Sequence, residues 1–172
     1  GNQNWAHFGT SVANAGDINA DGYDDIVVGF ELFDGGQTDE GTIMIYHGNA
    51  TGINTIVAAQ IEGNQEAGSL GYDVAAAGDV NNDGYDDIIA GAYRYNNGEV
   101  DEGAAFIFHG TSSGINTTPA IVLDNDLPVA YFGLSVRGVG DFNLDGYDDV
   151  MVGSPLFSNG SPSEGRTYLY KG

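Results

Sequence analysis

Cysteine is absent from the 172 residues, and four Lys and Arg stand against 25 Asp and Glu, which gives a formal net charge of −21. The lack of cysteine excludes a disulfide framework and a thiolate metal site. The shortage of basic residues argues against nucleic acid and anionic membranes as partners, because both are bound through Lys and Arg. No apolar run approaches the roughly 20 residues of a membrane span, so membrane insertion is not expected.

The acids are concentrated in a pattern that occurs three times. Asp-x-Asn-x-Asp-Gly-Tyr-Asp-Asp begins at Asp17, Asp79 and Asp141, with a spacing of 62 residues both times. These stretches hold 12 of the 25 acids. Clustered like charges cost folding free energy unless something positive lies among them. Because basic residues are scarce, a bound cation is the expected neutraliser.

The spacing of the oxygen-bearing residues fits Ca²⁺. Calcium takes six to eight oxygen ligands, and side-chain oxygens at loop positions 1, 3 and 5, a backbone carbonyl at position 7 and a Gly at position 6 suit such an ion. An acid at position 9 completes the predicted set, so three Ca²⁺ sites are expected. The predicted ligands, with each Tyr contributing its carbonyl, are Asp17, Asn19, Asp21, Tyr23, Asp25, Asp79, Asn81, Asp83, Tyr85, Asp87, Asp141, Asn143, Asp145, Tyr147 and Asp149.

Two alternatives to a calcium loop fit the pattern less well. A metal-free Asp/Asn/Gly turn would not need the same acids at positions 1, 5 and 9 in three copies. Magnesium dehydrates reluctantly and rarely uses an all-protein cage. Position 12, a Glu in the EF-hand, is Val28, Ala90 or Val152, so the loop closes at position 9 instead. The position-8 acids are predicted to make outer-shell or turn hydrogen bonds; they are Asp24, Asp86 and Asp148.

Each repeat contains short segments typical of strands, and no 3.6-residue apolar stripe predicts a helix. In the first repeat these are a small-residue segment at 7–16, a β-branched run at 26–29, an aromatic-rich segment at 42–46 and a fourth strand at 54–61. The fourth strand of the second repeat is predicted at 117–123. Small side chains suit the crowded axis of a radial assembly, so the first segment is expected to be innermost.

We predict an all-β fold of β-propeller blades, made of three four-stranded antiparallel repeats in one segment, 1–172, with approximate repeats 1–63, 64–125 and 126–172. A β-sandwich is the alternative, but it would not readily demand a fixed repeat length. The third repeat stops after its third strand, which leaves an open edge. Self-association into a two-chain, six-bladed ring is one way to close the propeller, since closure usually needs four or more blades.

The sequence resembles a known family. Phe8-Gly9, Leu70-Gly71 and Phe132-Gly133, the acidic loops, and Gly91-Ala92 or Gly153-Ser154-Pro155 resemble FG-GAP repeats. Such repeats form the integrin α-subunit propeller and occur in many bacterial surface and secreted proteins. The resemblance implies a β-propeller, calcium in each loop, a role in adhesion or extracellular binding, and a secreted or cell-surface location.

Two features depart from the integrin pattern. Integrin propellers have seven blades whereas this chain has three, and only the third repeat has the Pro of the family name. The segment 112–119 is more similar to the bacterial members.

The expected function is that of a calcium-stabilised adhesion or binding module rather than an enzyme. A protein or glycan partner is expected on the face opposite the acidic loops, with segments 62–69 and 124–131. Aromatic and charged residues on that face could contact it or pack within their own loops; they are Phe33, Tyr93, Arg94, Tyr95 and Phe157. The alternatives are a propeller of a secreted polysaccharide-active or lipid-active enzyme, catalytic or not, and an architectural repeat of a surface fibre.

No catalytic residue or organic cofactor is predicted. Three histidines have no Ser or Cys nucleophile motif nearby and are assigned structural or exposed roles; they are His7, His47 and His109. Aligned glutamates precede the third strand in every repeat, which favours a structural hydrogen bond over one active site; they are Glu40, Glu102 and Glu164.

Overall fold

The computed structural model describes residues 3–172, which form strands, turns and loops. This part of the chain contains no helix, and therefore none long and apolar enough to cross a membrane. The strands are β1 (Val12–Gly16), β2 (Asp25–Phe30), β3 (Thr42–Tyr46), β4 (Gly48–Asn49), β5 (Gly52–Ile53), β6 (Ala59–Glu62), β7 (Asp73–Gly78), β8 (Asp87–Ala92), β9 (Ala104–Phe108), β10 (Gly110–Thr111), β11 (Gly114–Ile115), β12 (Ile121–Leu123), β13 (Ser135–Gly140), β14 (Asp149–Ser154) and β15 (Arg166–Tyr170).

Three antiparallel sheets follow one another along the chain. Their strand orders are β1-β2-β3-β6, β7-β8-β9-β12 and β13-β14-β15, and the short ribbons β4-β5 and β10-β11 follow the third strands. The all-β prediction and the repeated four-stranded blade are confirmed. The third sheet has three strands in the described part of the chain, as expected.

Turn chemistry makes the first and fourth strands shorter than predicted. The segment predicted from residue 7 becomes a strand only at Val12, because Thr10 N donates to His7 O (3.0 Å) in a preceding turn. The fourth strand begins at Ala59 because Asn54 Oδ1 accepts from Ile56 N (3.0 Å) and turns the backbone. Asn side chains commonly bind the backbone two residues on in this way.

The small-residue strands lie innermost, as predicted. β7 packs between β1 and β13. Asp73, at the start of β7, links the three blades: its Oδ1 accepts from Ser11 Oγ (3.1 Å) and its Oδ2 accepts from Val136 N (2.9 Å). Small side chains in these strands let neighbouring blades approach closely.

The hydrophobic core lies between consecutive blades. One cluster joins the first blade to the second and includes Val27, Val74 and Phe108; another joins the second to the third and includes Ile89 and Phe132. All six residues of β8 are buried, so the prediction of a strand covered on both faces is confirmed for the middle blade. Each sheet therefore depends on its neighbours for burial.

Two glycines form the closest contact between consecutive blades. A Cβ on Gly29 would overlap the carbonyl oxygen of Gly71, and a Cβ on Gly91 would overlap that of Gly133. At the equivalent Gly153 the nearest atom to a Cβ would be Ser135 Cβ at 3.5 Å, an ordinary contact. Within residues 3–172, no blade packs on that side of the third blade.

We predict that Gly91→Ala lowers the free energy of unfolding by about 2 kcal/mol or more, because overpacking against backbone costs roughly 1–3 kcal/mol or more. At a concentration where the chain is monomeric, Gly153→Ala is expected to change it by less than about 0.5 kcal/mol. Urea denaturation of both variants measures the difference. Equal destabilisation by the two substitutions would contradict the blade-to-blade contact.

Candidate functional site

The acidic loop between β1 and β2 is held in shape by its own side chains. Asp17 Oδ1 accepts from Asp21 N (3.0 Å) and Asp17 Oδ2 accepts from Gly22 N (2.8 Å). Asn19 Oδ1 also accepts from Asp21 N (2.9 Å), and Asp21 Oδ1 accepts from Tyr23 N (3.0 Å). The side chains of positions 1, 3 and 5 are thus brought together. Gly22 has φ +92°, a conformation that glycine adopts at little cost.

The other two loops repeat this geometry. Asp79 accepts from Asp83 N (3.0 Å) and from the N–H of the following Gly (2.8 Å). Asp141 accepts from Asp145 N (3.0 Å) and again from the following Gly (2.9 Å). Three separate segments of the chain therefore adopt one preformed loop.

The position-9 acids lie at the base of the loops and are buried. Asp25 Oδ2 accepts from Ile18 N (3.3 Å), and Asp25 Oδ1 accepts from Gly48 N (2.8 Å). Asp87 and Asp149 make the equivalent bonds. This acid ties the loop to the ribbon that follows the third strand.

The loop acids do not all converge. A carboxylate cluster is defined by one oxygen from each acid, all within 4.8 Å of one another. Within residues 3–172, the acids at positions 1, 5 and 9 do not form such a cluster in any of the three loops. Positions 1, 3 and 5 are assembled, while position 9 is held aside by its backbone donors. Its predicted role as a ligand therefore stays a prediction.

Burial disfavours the charged form of two acids in the second loop. Burial raises the pKa of Asp87 to about 6, although N–H donors of Gly110 and Val80 oppose the change. Burial also raises the pKa of Asp86, against the hydrogen bond from Asp17 N. A nearby cation would favour the ionised forms.

The donor set of each loop fits a hard divalent cation. All predicted ligand atoms are oxygens, which calcium prefers. Among the ion pairs of the described chain, only that between His47 Nδ1 and Asp25 Oδ2 (3.1 Å) reaches a loop acid. The protein's own basic groups therefore leave most of the loop charge uncompensated.

The histidines beside the loops contact loop side chains, which agrees with their structural assignment. His47 lies against Asp25, and His109 Nδ1 is 3.1 Å from Asn81 Nδ2. The third repeat has Lys171 at the equivalent place, and there the amide of Asn143 turns to Asp149 instead.

The position-8 acids join neighbouring blades, which sequence reasoning missed. Asp86 Oδ2 accepts from Asp17 N (2.7 Å) in the preceding blade, and Asp86 N donates back to Asp17 O (3.3 Å). Asp148 and Asp79 repeat this reciprocal pair. Asp24, in the first of the three blades described, accepts from Asn14 Nδ2 in its own blade (2.8 Å). The sequence predicted outer-shell or turn hydrogen bonds for these acids, and it did not reveal the contact between blades because the partner lies 69 residues earlier in the sequence.

The aligned glutamates make structural hydrogen bonds, as predicted. Glu40 is buried, and its Oε1 accepts from Gly35 N and Gly36 N, both at 2.6 Å. Its Oε2 accepts from Asn64 N (3.0 Å). Glu40 thus fixes the loop before β3 to the segment after β6.

On the opposite face, the predicted aromatics pack against rings of their own blade, and Tyr93 also packs against a ring of the next blade. Tyr93 lies between Tyr72 and Tyr131, with ring centroids at 4.6 Å and 5.2 Å, and Tyr95 packs on Phe106. Phe33 and Phe157 likewise have aromatic neighbours. These four aromatic residues therefore pack within the structure, which was the alternative to contacting a partner. Only Arg94 of the predicted set is exposed.

An exposed aromatic that the sequence did not single out lies on this side. Trp5 is 83% exposed. Its segment is held beside the loop after β2 because Gln3 Nε2 donates to Asp34 O (2.9 Å) and Asp34 N donates to Gln3 Oε1 (2.9 Å). Val129, at the position equivalent to Trp5 two repeats later, is 48% exposed.

The FG-GAP repeat family matches residues 8–46, 70–108 and 132–170. The chain belongs to the FG-GAP repeat family. Integrin alpha-5 of Xenopus laevis is 35% identical over 163 residues, which is 90% of this chain and 15% of that protein. Integrin alpha-6 of Homo sapiens is 38% identical over 148 residues (86% and 12%), and integrin alpha-V of Gallus gallus is 38% identical over 165 residues (90% and 15%). The chain thus spans a small part of these relatives.

The two halves of the FG-GAP name meet across the blade boundary. The carbonyl oxygen of Gly71, which follows Leu70, lies against Gly29 of the preceding repeat. The carbonyl oxygen of Gly133, which follows Phe132, lies against Gly91 in the same way, and Gly29 and Gly91 both begin the segment aligned with GAP. These are the contacts at Gly29 and Gly91 described above. The signature therefore marks the places where FG-GAP blades pack.

Proposed function

We propose that this FG-GAP segment is a calcium-stabilised, non-catalytic binding module of adhesion type that acts outside the cell. The observation that carries the proposal is the set of three preformed acidic loops, each with side-chain oxygens drawn together. Extracellular modules bind calcium with moderate affinity and are filled where free calcium is high. Membership of the FG-GAP family favours the same role.

The ion would be held by positions 1, 3 and 5, the carbonyl at position 7 and the acid at position 9. In the first loop these are Asp17, Asn19, Asp21, Tyr23 and Asp25. Binding would neutralise the loop acids and favour the ionised forms that burial opposes. Since the unfolded chain lacks the preformed loop, binding would stabilise the folded state.

A non-catalytic role is supported by the uses that the blades make of their polar groups. Glu40 and the histidines beside the loops have structural contacts. A partner, protein or glycan, is proposed to bind the face opposite the calcium loops, where Trp5 and Arg94 are exposed. A glycan array and a lyase and hydrolase screen would separate this role from that of a polysaccharide-active enzyme.

We expect calcium to raise the melting temperature. A ligand at 100 times its Kd stabilises by about 2.7 kcal/mol per site, or about 5–10 °C for a domain of this size. Asp83→Asn is isosteric and keeps an acceptor for Tyr85 N, and the bond that it gives up, from Asn81 Nδ2 (2.9 Å), is exposed. Its stability in excess chelator should therefore lie within about 0.5 kcal/mol of wild type. Its calcium-dependent rise should fall by roughly one third, because one of three sites is lost.

Asp34→Asn is the matched control for this experiment. Asp34 lies outside the calcium loops, and its equivalent in the second blade is Asn96, which makes the same bond to the residue five positions later. Differential scanning calorimetry with calcium and with chelator compares the three proteins. An unchanged wild-type midpoint after calcium removal would refute the structural calcium role.

The two outer faces of the segment favour a further blade. Phe8 of the first blade is 56% exposed while its equivalent Leu70 is 3% exposed. At the other end Phe142 is 73% exposed while its equivalent Ile18 is fully buried. Each exposed residue occupies a position that a neighbouring blade covers elsewhere in the structure.

Continuity with the existing interfaces suggests how the faces would meet. Gly153 would receive the carbonyl of Gly9 from another blade, as Gly29 receives that of Gly71. Asp24 would bind Asp141 N, as Asp86 binds Asp17 N. When this chain is alone in solution, the only source of a further blade is a second copy of the chain. We therefore propose head-to-tail self-association, in which the third blade of one copy packs against the first blade of another.

Gly153→Ala should reduce self-association at least tenfold, because its Cβ would overlap the incoming carbonyl while leaving the isolated chain folded. Sedimentation equilibrium in calcium measures the association constant. Gly36→Ala is the control, since its Cβ would meet nothing within 4 Å and its φ is not positive. A wild-type chain that stays monomeric at all concentrations would contradict self-association, and equal weakening by both variants would contradict the assigned face.

A further inference from the structure

Three carboxylates of the second blade meet on the side opposite the calcium loops. Glu102 precedes β9, and Asp124 and Asp126 follow β12, so antiparallel pairing of these strands brings them to one edge. One oxygen of each lies within 4.8 Å of one oxygen of the others. Oxygen ligands alone are typical of hard divalent cations.

Glu102 has an unpaired oxygen at this point. Its side chain is fully buried, and its Oε1 accepts from Asn97 N and from Glu99 N (3.2 Å). Its Oε2 is buried and has no hydrogen-bond partner. Leaving a buried carboxylate oxygen without a partner is costly, so something is expected to bind it.

The first blade shows how this oxygen is normally satisfied. Glu40 is equally buried, and its Oε2 accepts from Asn64 N. The second blade has Asp126 where the first has Asn64, and that backbone bond is not formed. The backbone N–H of Asp126 does not bind Glu102 as that of Asn64 binds Glu40, and its side chain adds a carboxylate beside the unsatisfied oxygen.

The protein supplies no counter-charge to this cluster. None of the ion pairs between residues 3 and 172 involves these three acids. Asp124 Oδ2 accepts from Asn97 Nδ2 (2.6 Å), which orients this carboxylate and leaves its other oxygen available. Three like charges around a buried oxygen acceptor favour a bound cation over mutual repulsion.

We propose that Glu102, Asp124 and Asp126 bind a divalent cation, with Ca²⁺ as the best match. The site is separate from the three loops and has no counterpart in the first blade. The ion would tie the start of β9 to the segment after β12, with water completing its coordination. Because Asn125 Nδ2 donates to Ser154 Oγ (3.0 Å), the same segment also reaches the third blade.

The test counts bound calcium in the 172-residue chain by equilibrium dialysis and metal analysis. Asp126→Asn places the residue of the first blade at this position and should bind one calcium fewer than wild type. Asp34→Asn, an exchange of the same kind outside the cluster, should bind as many as wild type. Asp124→Asn, which keeps an acceptor for Asn97, provides a second variant and should also bind one fewer.

The difference between wild type and variant distinguishes this site from the loops. If the loops bind three ions, the counts should be four and three; if the loops bind none, they should be one and zero. Circular dichroism confirms that each variant is folded before counting. Equal calcium counts for wild type and folded Asp126→Asn or Asp124→Asn would overturn the proposal.

Discussion

Direct backbone contact between consecutive blades is the constraint on which the rest of this structure depends. The carbonyl of Gly71 lies where a Cβ on Gly29 would be, and Gly133 and Gly91 repeat the contact. This approach aligns the inner strands, and it places the side chains of one blade in the core of the next. A blade has few residues to bury by itself, so its stability comes largely from its neighbours.

The same blade-to-blade alignment determines where the acids are concentrated. It places Asp86 on the loop of the first blade and Asp148 on that of the second, so one carboxylate from each neighbour joins an already acidic loop. The fold therefore gathers negative charge at the blade boundary while four basic residues serve the whole chain. In our proposal calcium resolves this conflict, and the metal and the blade contact stabilise each other.

Local features of the sequence predicted most of the fold and the loop geometry. The short apolar runs and the turn residues are local signals, and their repetition every 62 residues made them easy to recognise. They identified the strands and the assembly of Asp17 with Asn19 and Asp21. What the sequence left open depends on distant partners. The bond from Asp86 crosses 69 residues, and the burial of Tyr93 depends on Tyr72 and Tyr131. The position-9 acids were assigned by pattern, but their backbone donors follow the third strand.

Differences between aligned repeats carry information that their similarities do not. A residue common to all repeats, such as the Glu before the third strand, reflects what every blade needs to fold. The second blade has Asp126 where the first has Asn64, which adds a carboxylate, and its buried Glu102 oxygen lacks the backbone hydrogen bond that Glu40 has. Neither difference improves packing, whereas the proposed cation would bind both the added carboxylate and the unpaired oxygen. The acidic loops then act as a shared scaffold, and the opposite side, where the repeats differ, is where individual blades acquire individual binding properties.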